Sequence, residues 1–354
     1  MRLSRHALSR QVASLVIAFV ATSSALALPA DAKVGGINGQ IVFARFSPAL
    51  NGSVVYTINP DGSGMQRLSP GNFGDAESPH WSPDGSRVAF FSLAGLPCCT
   101  VAAVIANVDT RTFRLLPMQE PGTLFTDCRV WSPDAARLAC DSFGGPTPDQ
   151  QTDPSLDGIY SIRSSDGGDL TRITSNPGGE DNPCDYSPDG TNLAFQRFDP
   201  NGIAVLDTVN LSTGVVQQLV PADTTLVDFQ CGSWSPRGDQ ILFAARPSPG
   251  HRRAVYVVNS DGTGLHQVPI SPSCGGAVSD PTSRGCLVPA WSPDGTKIVF
   301  CIFAPGINLN SPVFTANADG SGLFQVTHTG AIASGPRPKE GDAAPDWGTH
   351  PVTG

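Results

Sequence analysis

The decapeptide WSPDGSRVAF at residues 81–90 decides how the chain is read, because it returns four more times. The copies are WSPDAARLAC at 131–140, YSPDGTNLAF at 186–195, WSPRGDQILF at 234–243 and WSPDGTKIVF at 291–300. Each joins an aromatic residue, a Ser-Pro-Asp-Gly type turn and a short apolar run. Pro presets φ for such a turn, and Gly accepts the positive φ that other residues resist. Near the C-terminus stands only the front half of a copy, PDWG at 345–348, and NGQIVF at 38–43 is only the back half. Joined, the two ends supply a sixth aromatic, Trp347, and successive aromatics fall 48–57 residues apart.

A second element follows each apolar run. It reads VVYTINPDGSGMQRLS at 54–69, IYSIRSSDGGDLTRIT at 159–174, VYVVNSDGTGLHQV at 255–268 and VFTANADGSGLFQVT at 313–327. Looser copies occupy 101–116 and 203–219. Two β-rich runs around an Asp-Gly turn make a hairpin. One repeat therefore holds four short strands, and a four-stranded unit of about fifty residues is the size of one propeller blade. The split copy closes the ring: the strand at Trp347 and the strand Ile41 to Phe43 each lack a partner in sequence, and each supplies the other's. The expected fold is all-β, a six-bladed propeller of four-stranded antiparallel blades closed by its two terminal strands.

Composition agrees. The 354 residues include 38 Gly and 32 Pro, which punctuate the chain too often for long helices, and are 40% hydrophobic, enough for a core. A net charge of −9, without any Lys/Arg-rich run, argues against a nucleic-acid partner. Arg2, Arg5 and Arg10, an apolar run from Val12, and the small-residue patterns Ala25-Leu26-Ala27 and Ala30-Asp31-Ala32 have the layout of a secretory signal peptide. The expected division is residues 1–32 as signal and 33–354 as propeller. The exported product would be secreted or periplasmic, monomeric, and without a membrane span once the signal is cleaved; an uncleaved anchor is the alternative.

The unit W-S-P-D-G-x-x-[IVL]-A-F, with its following strand and Asp-Gly turn, resembles the TolB-type β-propeller repeat, a WD40-like repeat of the PD40 kind. The resemblance covers nearly all of 36–349 and extends to the propellers of prolyl-oligopeptidase-type enzymes and the tricorn protease. It implies that the aromatic strand is innermost, with the SPDG turns on one face and the long connections on the other. The domain that precedes the propeller in TolB has no room here, which counts against a Tol-system role.

Long connections on a rigid ring are where function resides. Here they are 143–158, 271–286 and 328–344. Ahead of the inner strands recurs an acid: Asp75 and Glu77, Asp127, Glu180 and Asp181, Asp228, and Asp342. Their expected role is a negatively charged channel mouth that attracts a cation or a basic segment of a partner; the plainer role is capping turns. The Asp-Gly turns at 59–64, 259–264 and 317–322 lack the downstream Glu of a calcium loop and read as hairpins. No motif calls for a metal or a cofactor, and no GxSxG, HExxH or CxxC occurs, so no catalytic residue is assigned. His80 and His350 flank inner strands.

Nine cysteines suit an oxidising compartment. Cys128 and Cys140 flank the Trp131 turn symmetrically, and Cys274 and Cys286 share one connection. Cys301 competes for Cys286, Cys98 and Cys99 are unassigned, and the odd total leaves one thiol over. The functional expectation is a non-enzymatic propeller that binds a protein or envelope component through the long-loop face and acidic mouth. The alternatives are a hydrolase or lyase for an extracellular glycan or small ester, and a purely structural module.

Overall fold

The computed structural model describes residues 36–70, 75–92, 102–116, 125–143, 153–220, 224–270, 274–280, 282–303, 311–328 and 341–353. The expected signal segment, Cys98 and Cys99, and most of the connections 143–158 and 328–344 lie outside these residues.

Blade 1 contains β1 (Ile41–Ser47), β2 (Gly52–Ile58) and β3 (Gln66–Arg67); blade 2 contains β4 (Ala76–Trp81), β5 (Arg87–Ser92), β6 (Ala102–Asn107) and β7 (Phe113–Leu115). Blade 3 is β8 (Phe125–Trp131), β9 (Arg137–Phe143), β10 (Gly158–Arg163) and β11 (Thr171–Arg172). Blade 4 is β12 (Glu180–Tyr186), β13 (Asn192–Phe198), β14 (Ala204–Asn210) and β15 (Val216–Gln218). Blade 5 is β16 (Val227–Trp234), β17 (Gln240–Arg246), β18 (Ala254–Asn259) and β19 (His266–Gln267). Blade 6 is β20 (Gly285–Trp291), β21 (Lys297–Phe303), β22 (Val313–Asn317) and β23 (Phe324–Gln325), and the last strand, β24 (Asp342–Trp347), returns to blade 1. All six sheets are four-stranded, and blade 1 has the order β24-β1-β2-β3.

That order closes the ring as the split repeat requires. Ile41 stands opposite Trp347, and Arg45 opposite Asp342, in an antiparallel pair. The indole Nε1 of Trp347 donates to the Gly39 carbonyl at 2.9 Å. The six aromatic strands touch one another in sequence around the axis, β24 against β4 included. Closure removes the open sheet edge between the first and last blades.

The second strand of every blade is buried on both faces, so its run is continuously apolar rather than alternating. Phe43, Phe90, Phe195, Phe243 and Phe300 occupy the same position in five blades and are fully buried. In blade 3 that position is Cys140, which pairs directly across from Cys128 and is bonded to it. The turns obey one rule: the Ser82 hydroxyl donates to Asp84 at 2.6 Å and accepts from the Arg87 amide at 2.9 Å, while Gly85 takes φ +68°. Ser132, Ser187 and Ser292 repeat the contact. Arg237 replaces the turn acid in blade 5, and there Ser235 reaches Asp239 instead. Among the described residues no helix is long and apolar enough to cross a membrane.

Candidate functional site

Every innermost strand carries a bulge. Register slips between Glu77 and His80, Cys128 and Val130, Pro183 and Asp185, Gln230 and Ser233, and Leu287 and Ala290. In blade 1 the slip falls between Val42 and Ala44 on the facing strand. Bulges bend a strand and re-aim its side chains, and here they bring Ser78, His80, Arg129, Asn182, Gln230, Val288 and Ala344 to the lumen. The result is a central cavity of about 250 Å³. On the SPDG side lies a second, smaller space of about 30 Å³, walled by Pro83, Pro133, Pro188 and Pro236.

Four of the bulges hold a non-glycine residue at positive φ: Ser78, Asp228, Val288 and Ala344. Val288, at +47°, is β-branched and so costly there, and its amide donates to Gln230 Oε1 at 3.1 Å. At Gly232 a Cβ would lie 1.6 Å from the Leu242 carbonyl oxygen, so only glycine lets β16 approach β17 there.

The recurring acids stand at or just ahead of the starts of the same inner strands without lining this cavity, and they divide in two. Asp342 is buried and held by Arg45 through two bonds of 2.6 and 3.0 Å. Asp181 is buried and held by Arg197 at 2.9 and 2.8 Å. Asp228 receives Arg246 at 2.6 Å and Arg253 at 2.5 Å. Asp127 is bonded to Arg129, which also reaches Asp141 at 3.3 Å. Thr174 and Thr327, each at the end of the preceding blade, donate to Asp181 and Asp342. The same hydroxyls accept from Ile159 and Val313. These four acids are thus neutralised, and two of them clasp one blade to the next. Among the described residues the other three are not hydrogen-bonded to a guanidinium, though Glu180 feels the charge of Arg129: Asp75 accepts from the Ser53 amide at 2.8 Å, Glu77 from the Ser53 hydroxyl at 3.0 Å, and Glu180 from Asn182 at 2.7 Å.

Burial of so much charge shifts titration. Desolvation, then the adjacent Asp127, pushes Asp141 up to about 7 despite Arg129. Desolvation likewise pushes Asp207 up to about 6, with Arg197 opposing and Asp181 reinforcing.

The expected pairs Cys128–Cys140 and Cys274–Cys286 are both formed. A third disulfide, Cys184–Cys231, joins the inner strands of blades 4 and 5; separation in sequence hid it. Among the described residues Cys301 is a buried free thiol, its Sγ 3.6 Å from the Asp342 carbonyl. The connection 271–286 folds back on the β17–β18 connection through a bridge of His251 to Ala277, and a bridge of Cys274 to Arg284 braces it internally. In the Asp-Gly turns, Asp61, Asp261 and Asp319 are occupied by their own Ser63, Thr263 and Ser321. His80 lines the cavity, and His350 stacks on Trp81 with centroids 5.4 Å apart.

Also missed was the residue just before each aromatic. The amides of Trp81, Trp234 and Trp291 donate to Asp346, Asp185 and Ser233 of the preceding blade. A polar residue next to the aromatic, and Pro79, Pro183, Pro289 and Pro345 inside strands where Pro is rare, were the available signals.

Solved structures carry this geometry. TolB from Acinetobacter baumannii superposes with a TM-score of 0.62 at 18% identity, over 87% of this chain and 66% of that one. The fold is that of the TolB propeller. A TolB-type protein from Agrobacterium tumefaciens gives 0.57 at 17% identity, over 83% and 90% of the two chains. Hydrazine synthase from Kuenenia stuttgartiensis gives 0.59 at 13%, over 90% of this chain and 47% of that one. No protein-family model and no curated protein matches the chain in sequence. At these identities the TolB likeness speaks to architecture alone.

Proposed function

We propose that this TolB-like propeller is an exported, non-enzymatic binding protein that engages a protein or envelope component at the long-loop face. The observation that carries the reading is the central cavity of about 250 Å³, lined by strained, bulged inner strands. Three disulfides support residence in an oxidising compartment. The arginine-clasped acids refine the electrostatic part of the proposal. Asp127, Asp181, Asp228 and Asp342 stabilise the ring, whereas Asp75, Glu77 and Glu180 are the carboxylates left to receive a partner's Lys or Arg. The protein acts as a single chain.

The test is saturable capture of an envelope-protein fraction on immobilised protein, compared with a D75N/E77Q/E180Q variant of unchanged melting temperature. The triple variant should lose about tenfold in half-saturation, and more at low salt, as exposed charge pairs demand. Equal capture by both proteins removes the acidic contact; absence of any saturable capture removes the binding role.

A further inference from the structure

The six-fold repeat is its own control, and one interface departs from the others. Five blades present Trp at the aromatic position, whereas blade 4 presents Tyr186. Tyr186 stands at the junction of blades 3 and 4, on the SPDG face. There a cleft of about 560 Å³ opens between Pro133, Ile173, Pro188, Leu211 and Tyr186. That volume is within the range of small-molecule sites.

The polar groups of the cleft say what fits. Arg137 is the counterpart of Arg87, whose guanidinium covers the Trp131 ring at 4.7 Å. Arg137 does not cover Tyr186; it is spent on Ser161 Oγ at 2.9 Å, the Ser161 carbonyl at 3.0 Å and Asp169 at 2.6 Å. Arg172 is spent on the Thr174 and Asp157 carbonyls, both at 2.8 Å. Asp134 and Asp189 accept from Ser132 and Ser187 of their own turns at 2.6 Å. With both cations and both acids committed, no net charge is asked of a ligand. The Tyr186 side chain is only 6% exposed, and its hydroxyl has no hydrogen-bond partner among the described residues.

We propose that this cleft binds a neutral, flat aromatic molecule of about indole size, which lies against Tyr186 where the other blades carry the larger Trp and hydrogen-bonds to the Tyr186 hydroxyl. Proline faces and an aromatic edge suit such a ring. The site is separate from the central cavity and independent of the role proposed for it.

Indole itself is the probe, titrated into the full-length protein by saturation-transfer NMR and calorimetry. Saturable binding is expected, about tenfold weaker in Tyr186→Trp, which restores the aromatic of the other blades, and in Thr171→Trp, which plugs the cleft from an exposed rim position. Should Tyr186→Trp fail to fold, Thr171→Trp decides. Tyr186→Phe should weaken binding about threefold, and an unchanged affinity there removes the hydroxyl from the proposal. Absence of saturable binding, or wild-type affinity in the folded plugged variant, overturns the site.

Discussion

In sequence, Asp342 is one more acid ahead of an aromatic strand; in the fold it is the buried partner of Arg45 and Thr327. Nothing local to Asp342 announces this, because Arg45 lies at the other end of the chain. The acids were legible as a recurring feature, and their division into clasped and unclasped groups was not, since it depends on arginines in a neighbouring strand. A repeating carboxylate can be a joint rather than a contact surface. The same burial predicts a pH effect at Asp207, whose unfolded value is near 3.8 and whose folded value is about 6. Because the folded value is raised, the protonated form favours the fold. The contribution is present below about pH 4 and is lost as pH rises through 6. Relative to wild type, an Asp207→Asn variant should therefore gain melting temperature as pH goes from 4 to 7; a constant difference across that range contradicts the shifted titration.

At the level of elements, the strands and their turns were readable because the SPDG and Asp-Gly motifs fix each hairpin locally. The bulges were not: alternation gives strand position but not register slips, and only the in-strand prolines hinted at them. The disulfides follow the same division. Cys128–Cys140 is visible as symmetry about one turn, whereas Cys184–Cys231 spans 47 residues and needs two blades side by side. That longer closure constrains the unfolded chain more. By the chain-entropy argument its loss should cost about 4 kcal/mol against about 3 kcal/mol for Cys128–Cys140. Urea unfolding of C184A/C231A and C128A/C140A variants measures this, and the reverse order would place the stabilisation in native packing instead.

For the whole molecule, ring number and closure were legible from two half-repeats at opposite ends of the chain, because a strand without a partner must find one. What the repeat count could not convey was the one irregular junction, since a Trp-to-Tyr change looks conservative until six equivalent interfaces are compared. Closure also makes a firm prediction. Removing residues 342–353 takes away β24 and leaves β1, with its apolar Ile41 to Phe43 run, as a bare edge. The shortened chain should self-associate or fail to melt cooperatively, as light scattering and calorimetry would report; a monomer with an unchanged transition would contradict the closed ring.

The shared first blade also sets a timetable. Ile41 leaves the ribosome long before Trp347, so blade 1 must wait half-built while the five blades between are made. The ring can latch only when β24 emerges, which makes closure a late event in the birth of the fold.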